Sequence, residues 1–125
     1  DEEHGNRAIG LLVRYVSGDL YLLAPSLLAY EVLSGLAIAR RRGRVGEEKL
    51  LEAVSGFEDL GLELRGLAGI RETVMRYCSK YGCSVYDASY LALSTENNIP
   101  FITADERLYD MVEKDLKLVK WLGEV

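Results

Sequence analysis

Apolar and polar residues follow each other along this chain in blocks that predict helices and strands in turn. An apolar residue at every third or fourth position predicts helices over 5–17, 46–60, 69–81, 85–96 and 105–114, and another that begins at Ser26 as its N-cap. Short apolar or alternating runs predict strands over 20–24, 62–67, 100–103 and 116–121. This alternation predicts an α/β sandwich with a mostly parallel sheet, and the length predicts a single domain over residues 1–125.

The predicted helix 85–96 is apolar on nearly every side, and we expect it to be buried. Asp87 lies in its first turn, where a carboxylate would be close to buried surroundings. A buried charge has to be paired, hydrogen-bonded or bound to a metal, because removing it from water costs several kcal/mol. The alternative is local: Ser84 and Asp87 have the S-x-x-D spacing of a helix capping box.

Two further carboxylates belong to the same edge of the predicted sheet. Glu31 falls in the core stripe of the helix that follows strand 20–24, and Asp105 comes two residues after strand 100–103. The carboxyl ends of parallel strands meet at one edge, so we expect Glu31, Asp87 and Asp105 to lie together. Each has an alternative. Glu31 could reach solvent from the rim of its stripe, and Thr103 to Glu106 is another capping-box spacing.

Three clustered carboxylates predict a divalent cation. Two such charges about 4 Å apart repel by roughly 4 kcal/mol at an effective dielectric of 20, and a cation relieves that repulsion. Oxygen ligands without His or Cys favour Mg²⁺ or Mn²⁺, and these ions also bind phosphate oxygens, which indicates phosphodiester hydrolysis. The one histidine, His4, lies near the start of the sequence, so Ser–His or Cys–His catalysis lacks its base. Neither common glycine-rich phosphate loop is present.

The charge balance limits how this chain could bind nucleic acid. The formal net charge is −5, whereas a general nucleic-acid-binding protein is basic, so binding to RNA would depend on a local patch. One candidate is the cluster Arg40, Arg41, Arg42 and Arg44. Its alternative is a solvated helix C-terminus, where cations interact favourably with the helix dipole. The sequence contains no signal peptide and no long apolar run, so we expect no membrane association and a cytoplasmic location.

The two cysteines, Cys78 and Cys83, match neither a redox CxxC motif nor a zinc knuckle. We expect both to be half-buried free thiols without a catalytic role, since no neighbouring histidine could generate a thiolate.

Three segments of the chain resemble the PIN-domain ribonucleases, and within that family the toxins of VapBC toxin–antitoxin pairs. They are Ala24–Val32 (APSLLAYEV), Tyr86–Leu93 (YDASYLAL) and Phe101–Leu108 (FITADERL), and they occur in the family's order. The last two are the more specific, and together the three extend over almost the whole chain.

The resemblance implies a Rossmann-like α/β/α sandwich and a metal-dependent endoribonuclease. Glu31, Asp87 and Asp105 would be ligands of Mg²⁺ or Mn²⁺, and Thr103 would position the site through hydrogen bonds. A metal-activated water would attack the RNA phosphorus in line. The resemblance also implies a homodimer and an antitoxin protein whose tail covers the active-site groove.

One feature departs from the family. PIN domains begin with a buried strand that ends in an aspartate and forms the middle of the sheet, whereas here Asp1, Glu2 and Glu3 precede the first predicted helix. We assign no role to Asp1, and we expect another N-terminal segment or a partner's strand to fill the sheet. Without that aspartate, an inactive PIN-like module that binds RNA or protein is the alternative function. A structural α/β module with three capping carboxylates is a further alternative.

Overall fold

The computed structural model describes the backbone of residues 2–125 and the side chains of residues 3–125, so Asp1 lies outside the described part. The helices are α1 (Glu2–Val16), α2 (Leu27–Arg41), α3 (Glu47–Asp59), α4 (Arg71–Tyr81), α5 (Val85–Asn97) and α6 (Glu106–Val112). The strands are β1 (Leu23–Pro25), β2 (Glu63–Arg65), β3 (Phe101–Thr103) and β4 (Val119–Trp121), followed by a 3-10 turn at Leu122–Glu124. Each predicted element is present in the predicted order.

The strands form two parallel pairs. In the first pair β1 lies beside β2, with Leu23 opposite Glu63, and in the second β3 lies beside β4, with Phe101 opposite Val119. The α/β class with parallel pairing is thereby confirmed. Within residues 2–125 the two pairs are separate sheets, so the prediction that a further strand completes the sheet stays a prediction.

The chain divides into two compact units. One contains the residues up to Tyr21 together with Leu67–Val125, and the other contains Leu22–Gly66. Within residues 2–125, no helix combines the length and apolar content needed to cross a bilayer.

Helix α5 is the centre of the first unit. Ala88, Leu91 and Ala92 are fully buried, and α5 packs chiefly against α4, whose Val74 and Tyr77 face inward. Burial on nearly all sides of α5 confirms what its composition predicts. The hydroxyl of Tyr77 donates a hydrogen bond of 2.9 Å to Thr95, which fixes the rotation of one helix against the other.

Strand β3 is attached to α5 through aromatic packing. The rings of Tyr90 and Phe101 stack with their centroids 5.4 Å apart, a separation at which aromatic pairs contribute more than their buried area alone. This stacking holds the middle of α5 against the first residue of β3.

Helix α1 differs in part from its predicted packing. The apolar period that predicts helix 5–17 places Leu11, Leu12, Tyr15 and Val16 on one face. Leu11 and Tyr15 are half-buried, whereas Leu12 and Val16 are exposed. The contacts that fix α1 include an edge-on packing of His4 on Trp121, with centroids 5.1 Å apart.

In the second unit, two residues differ from their predicted roles. Ser26 precedes α2, but its backbone is itself helical (φ −55°, ψ −26°), and its side chain accepts no capping hydrogen bond. An N-cap needs an extended backbone to turn its hydroxyl onto the helix end, and Ser26 lacks that conformation. Leu51 on α3 belongs to the apolar period that predicts helix 46–60, but it is 58% exposed and does not contribute to a core. Between α2, α3 and β2 lies an apolar cavity of about 340 Å³ whose lining includes Leu33 and Phe57.

Candidate active site

The first half of the site is built where β3 ends. Thr103 is the last residue of β3 and is buried, and its hydroxyl accepts a hydrogen bond of 3.0 Å from the N–H of Asp105. Asp105 then caps α6, because its Oδ1 accepts a hydrogen bond of 3.1 Å from the N–H of Leu108. The N-cap of α6 is thus Asp105, and not Thr103 as the capping-box spacing predicts. Thr103 instead orients the backbone that carries Asp105.

The second half is the turn between α4 and α5. Gly82 has the left-handed conformation (φ 67°) that ends α4, a conformation that glycine adopts without strain. Two residues later Ser84 caps α5, and its hydroxyl accepts a hydrogen bond of 3.0 Å from the N–H of Asp87. The predicted cap at Ser84 is confirmed. Since this bond uses the main chain of Asp87, it leaves the function of the Asp87 carboxylate open.

The two halves enclose one cavity of about 190 Å³ in the first unit. Its lining consists of Gly82, Cys83, Ser84, Asp87, Asp105, Arg107, Leu108 and Met111. Two of the three carboxylates singled out in the sequence, Asp87 and Asp105, therefore line the same cavity. Asp87 is half-buried and Asp105 is exposed.

The third carboxylate belongs to Glu31, which lies on α2 in the second unit and is exposed. The expectation that Glu31 lies in a buried stripe is wrong, since α2 contains no fully buried residue. Of the arginine cluster, Arg40 forms an ion pair of 3.3 Å with Glu47. Arg41, Arg42 and Arg44 are exposed.

The thiol of Cys83 lies at the cavity wall. Burial raises the pKa of Cys83 above its ordinary value, and the nearby Cys78 and Asp87 raise it further. The Cys83 thiol donates a weak hydrogen bond to the carbonyl oxygen of Tyr77, 3.8 Å away. Cys78 and Cys83 are both half-buried free cysteines, as expected. The other side chains of the cavity that could bind a metal do so through oxygen atoms, and they belong to Ser84, Asp87 and Asp105.

Those oxygens are the type that a hard divalent cation prefers. A carboxylate has about four lone-pair positions, so Asp105 retains acceptor capacity beyond its bond to Leu108. Mg²⁺ is often held by only one or two carboxylates, with waters and phosphate oxygens completing its shell. Among residues 2–125 no group of three or more His, Cys, Asp or Glu side chains is arranged to hold a metal. Asp87 and Asp105 fit the two-carboxylate arrangement.

Part of the cavity wall was not predicted from the sequence. Arg107, Leu108 and Met111 reach it from α6, and Cys83 reaches it from the α4–α5 turn. A signal was present for Arg107, because it follows Asp105 by two residues at the very start of a helix. Because Asp105 is the N-cap of α6, a side chain in the first turn of that helix, such as Arg107, lies near Asp105.

The chain is similar to known proteins over most of its length. The family model of the PIN domain matches residues 1–114. A VapC ribonuclease from Mycobacterium bovis is 33% identical over 89 residues, which cover 71% of this chain and 68% of that protein. Ribonuclease VapC9 from Mycobacterium tuberculosis matches with the same identity and coverage. The matched family region contains both Asp87 and Asp105.

Proposed function

The chain belongs to the PIN-domain family, and from this premise we propose that it is a metal-dependent endoribonuclease that acts as the toxin of a toxin–antitoxin pair. The observation that carries the proposal is the cavity shared by Asp87 and Asp105. The similarity to proteins named VapC ribonucleases supports RNA as the substrate.

Asp87 and Asp105 would hold Mg²⁺ or Mn²⁺, which when bound supplies positive charge at the phosphate and lowers the pKa of water. Neighbouring residues position the two aspartates. Ser84 fixes the backbone of Asp87, and Thr103 fixes the backbone of Asp105. Because the main chain of both aspartates is fixed at a helix start, little backbone reorganisation would be needed when charge develops on the phosphate.

Glu31 is proposed as a further ligand because of its place in the motif Ala24–Val32. Arg40, Arg41, Arg42 and Arg44 are proposed to contact RNA phosphates away from the reacting bond. Since Arg40 is also paired with Glu47, we expect the other three to contribute more. An exposed ion pair is worth about 0–1 kcal/mol, so RNA could also displace Glu47.

The remaining parts of the proposal concern the protein's surroundings. We propose a cytoplasmic homodimer whose activity is blocked by an antitoxin protein laid over the active-site cavity. We also propose that residues 1–125 act as one PIN domain. The resemblance of the three motifs to VapBC toxins supports these points.

We expect the protein to cut a circular single-stranded RNA in the presence of Mn²⁺. A circle has no ends, so its conversion to a linear form requires an endonuclease. Gel electrophoresis of a set of circles with different sequences measures this directly, and total cellular RNA serves as a second substrate pool. The same reaction in EDTA is the control. Circles and cellular RNA that both stay intact in Mn²⁺ would contradict the proposed activity.

A further inference from the structure

The cavity lined by Asp87 and Asp105 is also lined by a cationic residue, Arg107. Arg107 lies in the first turn of α6 and is exposed. With the described residues it forms no ion pair, although two carboxylates line the same cavity. An arginine beside two aspartates would ordinarily pair with one of them. Here the guanidinium remains available to an anion from outside.

Arginine has the right chemistry for a phosphodiester. Its planar guanidinium presents parallel N–H groups that match two oxygens of one phosphate, and it stays charged at all relevant pH values. The cavity of about 190 Å³ is small, with room for about six waters at bulk density. A phosphate that reaches the two carboxylates through a shared cation therefore lies within the same small volume as Arg107.

We propose that Arg107 binds the scissile phosphate of RNA and stabilises the charge that develops on it during cleavage. This inference rests on the proposed ribonuclease function. It assigns to Arg107 a task that differs from those of the carboxylates: they hold the cation, whereas Arg107 contacts a non-bridging oxygen directly. Groups placed against developing phosphate charge contribute more to the transition state than to ground-state binding.

The variants Arg107→Ala and Arg107→Lys test this role. We expect Arg107→Ala to lower kcat for Mn²⁺-dependent RNA cleavage about tenfold to a hundredfold, with an unchanged melting temperature because the side chain is exposed. Arg107→Lys keeps the charge but loses the paired N–H geometry, and should recover only part of kcat. Arg76→Ala is the matched control, since Arg76 is an exposed arginine on α4 outside the cavity, and it should cleave like the unmodified protein.

Binding in EDTA provides a readout that is independent of turnover. The probe is a fluorescein-labelled single-stranded RNA of mixed sequence, and anisotropy is measured over a range of KCl concentrations. Loss of one phosphate contact should weaken binding by Arg107→Ala and reduce the slope of log K against log [KCl] by about 0.7. Arg107→Lys should keep the slope, and Arg76→Ala should keep both affinity and slope.

The outcomes separate this inference from the proposed function. If the unmodified protein cleaves RNA and Arg107→Ala matches it in kcat, affinity and salt slope, the role of Arg107 is overturned while the nuclease stands. If no RNA is cleaved but Arg107→Ala still lowers affinity and slope, the phosphate contact stands and the catalytic part of the inference fails with the nuclease. Equal losses in Arg107→Ala and Arg76→Ala would indicate general charge attraction and overturn the inference.

Discussion

Replacing Asp87 with asparagine should reduce RNA cleavage about a hundredfold or more, because the change removes the charge of a proposed metal ligand and keeps the side-chain volume. Stability should hold or rise. The cap of α5 depends on the hydroxyl of Ser84 and the backbone N–H of Asp87, and neither is altered. Removing one of two like charges from a small cavity also relieves repulsion. Cleavage assays with Mn²⁺ and thermal melting of the same preparation measure both quantities.

Asp110→Asn is the matched control for this change. Asp110 is an exposed aspartate on α6 that does not line the cavity, so its loss of charge should leave cleavage unchanged. If Asp87→Asn retained full activity, Asp87 would have no role in catalysis, and the inactive RNA- or protein-binding module would be the better description of this chain.

Two replacements of Asp105, by asparagine and by alanine, should both reduce RNA cleavage but should differ in their effect on stability. Asp105→Asn keeps an oxygen that can accept the N–H of Leu108, whereas Asp105→Ala removes the cap of α6. Both should lower cleavage about a hundredfold, since both remove the charge. Only Asp105→Ala should lose stability, by about 1 kcal/mol, as is typical of a lost N-cap. Turnover in Mn²⁺ and denaturant unfolding measure the two effects separately.

The opposite pattern would identify Asp105 as a cap alone. In that case Asp105→Asn would cleave RNA like the unmodified protein, and Asp105→Ala would be less stable without a corresponding loss of kcat. The comparison is informative because the structure shows the capping bond, so its contribution can be subtracted by the asparagine variant.

Much of the framework could be predicted from local sequence patterns. The burial of α5 follows from a run of residues that is apolar on nearly every side, and the end of α4 follows from Gly82, which alone tolerates the left-handed turn without strain. The cap at Ser84 follows from its spacing to Asp87. These features depend on residues a few positions apart, which is the range over which periodicity and capping rules act.

The remaining features depend on contacts that sequence spacing does not encode. Ser26 has the residue type of an N-cap, but its backbone continues into the helix and its N–H donates to the carbonyl of Arg65 on the neighbouring strand. Leu51 fits the helical period and is nevertheless exposed. Arg107 lines the cavity only because α6 begins beside the α4–α5 turn. In each case tertiary placement overrides a pattern that is locally correct.

Calorimetric titration with Mn²⁺ tests most directly the proposal that Asp87 and Asp105 together hold a divalent cation. The unmodified protein should show weak, saturable binding, because two carboxylates share the ion with water. The double variant Asp87→Asn, Asp105→Asn should lose that binding. The double variant Glu106→Gln, Asp110→Asn, with the same change in net charge outside the cavity, should keep it. Equal Mn²⁺ binding by the unmodified protein and the Asp87→Asn, Asp105→Asn variant would contradict the claim.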